Sequence, residues 1–219
     1  AAFPTSTAFS EAVVGGWWRT RALARQHLVL GTRLNLNPVA AESGALREAV
    51  RRGCEASLRR FRTDYLDLLV CEWTEPRLPP EEWWLALDLL VHHGLVRYVA
   101  LAGVPAWRGV ACLRHSRDRN HCRIDALQAD YSLLARAGFE PETAELCREY
   151  RLGFLARSPL AGGFLTKADG PSLALARSRR RWLFERYGVA GEKRITRAAH
   201  DLANERGCSL AQLALAWVL

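Results

Sequence analysis

The stretch Thr63–Trp73, TDYLDLLVCEW, combines a run of buried-type residues with a carboxylate near its end. Near-continuous leucine and valine is typical of a parallel strand that is covered on both faces. Proteins with such strands keep their functional groups at the C-terminal ends of the strands. Glu72 occupies that position, so it is either a solvated residue at the rim of a sheet or a functional group.

The length and composition predict an ordinary globular protein. The chain has 219 residues, of which 49% are hydrophobic and 25% charged, and this is enough for one sizeable core. We expect a single domain over residues 1–219. No apolar run approaches the roughly 18 residues of a membrane span, so we expect a cytoplasmic protein with no membrane partner. Six cysteines are scattered through apolar or helical stretches, which predicts reduced core thiols.

The formal net charge of +8 is carried almost wholly by arginine. The arginines are spread over every predicted helix, with no nucleic-acid motif and no interleaved aromatic stripe. We therefore interpret them as solvated helix faces and predict no nucleic-acid partner. Methionine is absent, even at position 1, and we expect the chain to be incomplete.

Hydrophobic periods of two types alternate along the chain. Strands are predicted at 27–34, 65–71, 96–103, 124–129 and 152–160, and residues 1–5 are interpreted as the remnant of another. Helices are predicted at 10–26, 42–61, 79–94, 105–117, 140–151, 192–207 and 209–219. The arginine-rich segment 165–190 is predicted to be a loop or lid. Strand–helix alternation predicts an α/β protein, but the pattern alone leaves a barrel and a doubly wound sheet open.

Two local patterns have alternative interpretations. Cys112, His115, His121 and Cys122 are metal-ligand types, but zinc favours a second short-spaced pair, and we predict no metal site. The loop 158–167, SPLAGGFLTK, is glycine-rich. Its glycines either allow close approach to a phosphate or permit only a tight turn.

Five segments, taken together and in order, resemble the aldo-keto reductase superfamily. They are SLRRFRTDYLDLL, HHGLVRYVALAGVPAWR, ALQADYSLLAR, LGFLARSPLAGGFLTK and SLAQLALAWVL. The resemblance implies a (β/α)₈ TIM-type barrel that binds NADP(H) and passes hydride to a carbonyl with an Asp, a Tyr, a Lys and a His. About six of the eight β/α units fall within the chain. Either the sequence is truncated, or a partner chain or oligomer completes the barrel.

The same alignment replaces all four catalytic residues. The Asp and Tyr positions fall on Pro4 and Phe9, and the Lys and His positions fall on Arg33 and Glu72. Phe9 has no proton to give, and Arg33 is not deprotonated in proteins. Since loss of an acid commonly costs about 10²–10⁴ in rate, ordinary carbonyl reduction is not expected.

The resemblance also implies a weakened cofactor site. The family's Ser-Asn pair for the nicotinamide carboxamide falls on Ala102-Gly103, and its stacking aromatic falls on Arg157. Four cofactor-proximal positions match the family: Gln128, Ser158, Leu160 and Gly162. We therefore expect NADP(H) binding that is reduced or lost.

These substitutions leave two functional hypotheses. In the first, the protein is an oxidoreductase that reduces an enone double bond, or a redox-neutral acid–base enzyme, with Glu72 as acid or base and Arg33 on an anionic oxygen. In the second, it is a catalytically inactive relative that acts as a binding or regulatory protein. A protonated Glu72 favours the first, whereas an ion pair of Glu72 with Arg33 or Arg157 favours the second. The expected ligand is a small-molecule substrate or an anion.

Overall fold

The computed structural model describes residues 7–21, 23–35, 45–72, 80–166 and 190–219. The strands in these ranges are β1 (Gly31–Asn35), β2 (Leu66–Glu72), β3 (Val96–Ala102), β4 (Ala126–Asp130) and β5 (Gly153–Arg157). The α-helices are α1 (Thr7–Thr20), α2 (Ala45–Phe61), α3 (Pro80–His92), α4 (Ala106–Arg119), α5 (Thr143–Tyr150), α6 (Ala190–Glu205) and α7 (Leu210–Val218). Short 3₁₀ turns occur at Arg25–His27 and Ala161–Thr166.

The five strands form one sheet in the order β1-β2-β3-β4-β5. β1 to β4 pair in parallel, each with its successor in the chain. A doubly wound sheet reverses its strand order at a switch point, whereas a barrel keeps chain order throughout. The observed order therefore favours the barrel over the doubly wound alternative.

The strand register sorts side chains onto two faces of the sheet, because successive side chains alternate. Thr32 and Leu34 of β1 lie on the face that is covered by helices. Thr32 donates a hydrogen bond to Glu11 of α1, and the Leu34 side chain lies against Gly53 of α2. Arg33 lies on the opposite, inward face together with the side chains of its register partners.

Four of the six cysteines are core residues. Cys54, Cys71, Cys112 and Cys147 are buried, the other two are partly buried, and all six cysteines are free. Burial raises the pKa of the Cys54 and Cys112 thiols to about 11, so they stay protonated at neutral pH. The prediction of reduced core thiols is confirmed.

A charged cluster lies at the N-terminal end of β2. Asp67 accepts hydrogen bonds from the Leu30 N–H at 2.9 Å, from Arg25 at 2.7 Å and from Arg97 at 3.2 Å. Both guanidinium groups also lie over the Tyr65 ring, 3.9 and 4.1 Å from its centroid. Burial alone would raise the pKa of Asp67, but the hydrogen bonds and the two arginines outweigh it, and the pKa is lowered. The cluster joins the entrance of β1 to β2 and β3.

The same cluster explains two wrong boundaries. The helix predicted at 10–26 begins at Thr7 and ends at Thr20, because the Arg25 side chain bonds to Thr63, Tyr65 and Asp67. These contacts draw the chain out of the helical path. The strand predicted at 27–34 begins only at Gly31, and Val29 before it is exposed.

The chain divides into two compact units, the first formed by Ala1–Gln128 with Leu146–Gly153 and the second by Ala129–Glu145 with Phe154–Leu219. The first has a core that includes Trp83 and Trp84 of α3, fully buried and edge-to-face with ring centroids 5.1 Å apart. In the second, Ala161, Phe164, Leu165 and Ala214 form a buried cluster. The expectation of a single domain over 1–219 stays a prediction.

Several predictions fall outside the described residues. The strand remnant at 1–5 lies there, and so does the loop predicted at 165–190, except for 165–166 and 190. Within the described ranges, no helix is both long enough and apolar enough to span a bilayer.

We expect Gly15→Ala to lower the free energy of unfolding by about 2–3 kcal/mol, the cost of overpacking a closed contact. A methyl group at Gly15 would overlap the carbonyl oxygen of Arg60 and lie 2.8 Å from Cα of Phe61, where α1 crosses α2. Gly16→Ala is the matched control, since nothing lies within 4 Å of its added methyl. That change should stabilise the helix by about 0.5–1 kcal/mol. Urea denaturation measures the free energy of unfolding of both variants. Equal changes in the two variants would contradict the close contact of α1 with α2 at Gly15.

We expect Asp67→Asn to lower the free energy of unfolding by about 2–3 kcal/mol at neutral pH, because it removes the anion that two arginines share. The pKa of Asp67 is lowered in the folded state. Its contribution is therefore complete above the ordinary aspartate range and is lost as the pH falls through the folded-state pKa. Urea titrations at several pH values should show that the difference in free energy of unfolding between wild type and Asp67→Asn becomes smaller in acid. Asp64→Asn, at an exposed neighbour, should change stability by less than about 0.5 kcal/mol.

Candidate functional site

The C-terminal ends of four parallel strands meet in one row of the sheet. Glu72 of β2 pairs in register with Ala102 of β3, and Ala102 pairs with Gln128 of β4. Arg33 of β1 lies one level below, in register with Val70. All of these side chains lie on the same inward face, since their positions differ by two along each strand. The row thus contains three of the polar residues singled out from the sequence.

Arg33 joins these residues across the sheet. Its Nη1 lies 3.4 Å from Oε1 of Glu72, and its Nη2 donates a hydrogen bond to Oε1 of Gln128. The side chains of Arg33 and Glu72 are 30% and 25% exposed, so the network is partly open to solvent. Of the two partners considered for Glu72, Arg33 is found in the structure, and this ion pair is the arrangement that favours a binding or regulatory protein over acid catalysis by Glu72.

Small side chains make this reach possible. Adjacent strands lie about 4.8 Å apart, so β1 and β4 would be separated by about 14 Å in a flat sheet. Between them, the inward face carries Ala100 and Ala102, and β4 itself carries Ala126, all buried. Curvature of the sheet and the lack of bulk on β3 together let the arginine meet Gln128. Sequence reasoning missed this contact, although the alternation Ala100-Leu101-Ala102 indicated the opening.

The charge of Arg33 does not vary with pH in the range where proteins fold. It therefore provides a fixed positive charge beside Glu72, together with donors that suit an oxyanion. The arrangement can hold a carbonyl or enolate oxygen, but its guanidinium cannot deliver a proton to one.

The end of β3 has no side-chain group that could form a hydrogen bond with the carboxamide of a nicotinamide. Ala102 is buried and has no polar side-chain atom. The Gly103 N–H donates to the Gln128 carbonyl at 3.4 Å, and Gly103 takes a positive φ of 72°. On β3 and β4, therefore, the side-chain amide of this row comes from Gln128.

In the second unit, Arg157 has its own acidic partner. Its Nε lies 2.5 Å from Oδ1 of Asp130, and its carbonyl accepts from the Tyr131 N–H at 3.1 Å. The Arg157 side chain therefore bridges β5 to β4.

The glycine-rich segment after β5 is a tight turn. Ser158 and Gly162 both take positive φ values, 55° and 65°. The N–H groups of Ala161 and Gly163 donate within the turn, to the carbonyls of Ser158 and Leu160 at 2.8 and 2.9 Å. Leu160 packs against the buried cluster of the second unit. These contacts account for the glycines as turn residues and leave fewer backbone donors for a phosphate.

The remaining candidates lie elsewhere. Phe9 is on α1 with 72% of its surface exposed, and Pro4 lies outside the described residues. The His115 ring stacks on His121, while the Cys122 N–H donates to Asp88 at 2.7 Å. Across the described ranges, no group of three or more metal-ligand side chains is placed to hold an ion.

Comparison with known proteins identifies the family. A family model described as "Aldo/keto reductase family" matches residues 3–219. The chain belongs to the aldo/keto reductase family. This membership confirms the resemblance drawn from the sequence and, with the parallel sheet in chain order, the (β/α)₈ barrel type.

Relatives in bacteria, fungi and plants agree with this assignment. The uncharacterized oxidoreductase YrpG of Bacillus subtilis (strain 168) is 31% identical over 96% of this chain and 65% of its own length. Aldo-keto reductase AFTS1 of Alternaria alternata is 32% identical over 80% of this chain and 48% of its own. A rice protein (Oryza sativa subsp. japonica), named a probable voltage-gated potassium channel subunit beta, is 29% identical over 95% of this chain and 65% of its own. This chain thus spans less than two thirds of these relatives.

We expect a double-mutant cycle of Arg33→Met and Glu72→Gln to give a coupling free energy of about 0.5–1.5 kcal/mol, since the pair is close but partly solvated. The measurement is urea unfolding of the two single variants and the double variant. A cycle of Arg33→Met with Asp64→Asn is the control, because Asp64 lies before β2 at its opposite end. That cycle should be additive within about 0.5 kcal/mol, and additivity in both cycles would show that Arg33 and Glu72 do not interact.

Proposed function

We propose that the protein is an NADP(H)-dependent oxidoreductase that reduces the carbon–carbon double bond of an enone. The observation that carries the proposal is the Arg33 guanidinium, held between Glu72 and Gln128 at the C-terminal ends of the strands. Family membership supports the reaction class, and the replaced residues favour this substrate over a simple ketone or aldehyde.

The chemistry of Arg33 distinguishes the two substrates. Reduction of a simple carbonyl makes an alkoxide, which needs a proton on oxygen, and Arg33 is not a proton donor. Reduction of an enone places hydride on the β-carbon and negative charge on the former carbonyl oxygen, as an enolate. A fixed cation can stabilise that charge without transferring a proton. Arg33 is therefore suited to the enolate.

Glu72 provides the route for the remaining proton. Its carboxyl lies on the same face as Arg33 and is in part solvent-exposed. In the proposed reaction the α-carbon of the enolate takes a proton from Glu72, which is reprotonated from solvent. The substrate thereby gains one hydride and one proton, and the double bond becomes a single bond.

Gln128 supports cofactor binding. Its Oε1 accepts from Arg33, so its Nε2 keeps both donors for another acceptor, such as the carboxamide oxygen of a nicotinamide. A bound NADPH would supply the hydride. Ala102 and Gly103 add no side-chain donor, and we expect a weaker affinity than a site with a Ser-Asn pair would give. Ser158, Leu160 and Gly162 are proposed cofactor contacts on the family resemblance alone.

A second candidate is a binding or regulatory protein without turnover, which the ion pair of Glu72 with Arg33 favours. The polar side chains of the row contact one another in the Arg33–Glu72–Gln128 network, and Ala102 offers a cofactor no hydrogen bond. The rice relative's name as a probable channel subunit supports a role in assembly for some proteins of this kind. Under this proposal the barrel would bind a partner without consuming NADPH.

We expect Arg33→Met to lower kcat for an enone by about 10²-fold or more, the typical loss when one oxyanion donor is removed. Its NADPH dissociation constant should stay within about threefold, because the enolate forms only after the cofactor has bound. Glu72→Gln should lower kcat by about 10²–10⁴, as loss of an acid does. Tryptophan fluorescence measures NADPH binding and absorbance measures its oxidation. Arg47→Gln, at an exposed site on α2, is the control with the same charge change as Arg33→Met and should leave both unchanged.

The outcomes separate the two proposals. Saturable NADPH binding without turnover of a broad enone panel would contradict the enone reductase and favour the regulatory protein. A flat titration with no quenching would contradict cofactor use altogether.

A further inference from the structure

A cleft in the first unit lies where α4 and α5 end. It has a volume of about 570 Å³ and is lined by residues from the end of α4, the loop that follows it and the end of α5. Its charged residues are Arg114, Arg117, Arg123, Arg151 and Glu149, with His121 beside them. The volume lies within the range of small-molecule sites, which is about 300–1,000 Å³.

The positive charge of this cleft is largely uncompensated. Four arginines face one glutamate. No carboxylate of the described residues forms an ion pair with Arg114, Arg117 or Arg151, although other surface arginines do, Arg51 with two glutamates and Arg136 with one. The lining combines planar guanidinium forks, which match phosphate oxygens in pairs.

Helix ends alone do not explain these arginines. A cation in the last turn of a helix is favoured by the helix dipole, and this accounts for Arg117. Arg123 already provides hydrogen bonds to backbone carbonyls at the end of α5, since its Nη2 donates to the carbonyls of Tyr150 and Arg151 at 2.6 and 2.8 Å. Arg114 lies one turn earlier in α4, and Arg151 lies beyond the end of α5. More positive charge is concentrated here than two helix ends require.

The cleft also has fixed geometry. Arg123 is held by three backbone carbonyls, those of Ile124, Tyr150 and Arg151. Ser116 is buried beneath it and donates to the carbonyls of His121 and Cys122. The half-exposed Tyr150 ring forms an apolar wall. A guanidinium held in place loses little freedom when a ligand binds, which favours affinity.

We propose that this cleft binds a small anion carrying two or more phosphate groups. Two or more charges are needed to engage arginines from both helix ends, and a concave cleft of about 570 Å³ favours a small molecule over a macromolecular surface. The cleft lies before the first residues of β4 and β5, whereas Arg33, Glu72 and Gln128 lie at the C-terminal ends of their strands. The proposed site is therefore distinct from the candidate active site and does not depend on its function.

Calorimetric titration of the full-length protein with inorganic pyrophosphate tests the proposal at an ionic strength of about 0.15 M, where diffuse surface attraction is screened. Saturable binding is expected. Arg114→Gln and Arg117→Gln should each weaken it by about tenfold, as loss of a charged hydrogen bond does. The control, Arg47→Gln, removes one charge from the exposed surface of α2 and should change affinity less than twofold.

Arg151→Asn gives an independent variant on the other helix end. Asn tolerates the left-handed conformation of this residue, whose φ is 51°, so folding should be retained. Thermal melting confirms that each variant is folded. The proposal is overturned if pyrophosphate does not bind, if the cleft variants bind it as tightly as wild type, or if Arg47→Gln weakens binding equally. Binding of single-stranded nucleic acid or an acidic peptide through these arginines, without pyrophosphate binding, would also overturn it.

Discussion

The hydrogen bond from Arg33 on β1 to Gln128 on β4 depends on the side chains that lie between these strands. Parallel pairing in chain order brings the ends of β1 to β4 to one edge, and curvature shortens the path across their inward face. Alanine at 100, 102 and 126 leaves room for the guanidinium. A larger residue at any of these positions would separate Arg33 from Gln128, and the row would lose its centre of positive charge.

The two central replacements complement each other. Arg33 and Glu72, which the sequence resemblance places at the family's Lys and His positions, lie 3.4 Å apart. Replacing one residue of the pair would remove this ion pair from the other, whose charge is partly buried. The free-energy cost of that change grows as solvent is excluded. As a pair, the two residues keep a cation in the site and exchange a neutral base for an acidic group. In the proposed reaction, such an exchange replaces protonation of oxygen by protonation of the α-carbon.

The central strands could be predicted from sequence, while contacts between distant residues could not. β2 and β3 were predicted within one residue at each end, because their Leu- and Val-rich runs are bounded by turns. The end of α1 was wrong, since the Arg25 contacts that set it involve residues about 40 positions away. The bond from Arg33 to Gln128 joins residues 95 positions apart, and no local pattern encodes it. The pair of Arg157 with Asp130 was missed because Arg157 was considered as a cofactor contact and as a partner for Glu72, but not as a partner for a residue of β4.

Hydride addition to the β-carbon of an enone, beside the Arg33 cation, can be tested in a single turnover. The full-length protein would be mixed with an enone and NADPH that carries deuterium at the transferable position, and the product examined by NMR. We expect a product with one deuterium on the β-carbon and an intact carbonyl, and we expect this product to be lost when Arg33 is replaced by Met. Deuterium on the carbonyl carbon, with an alcohol as product, would contradict this expectation, and so would a labelled product formed equally well without Arg33.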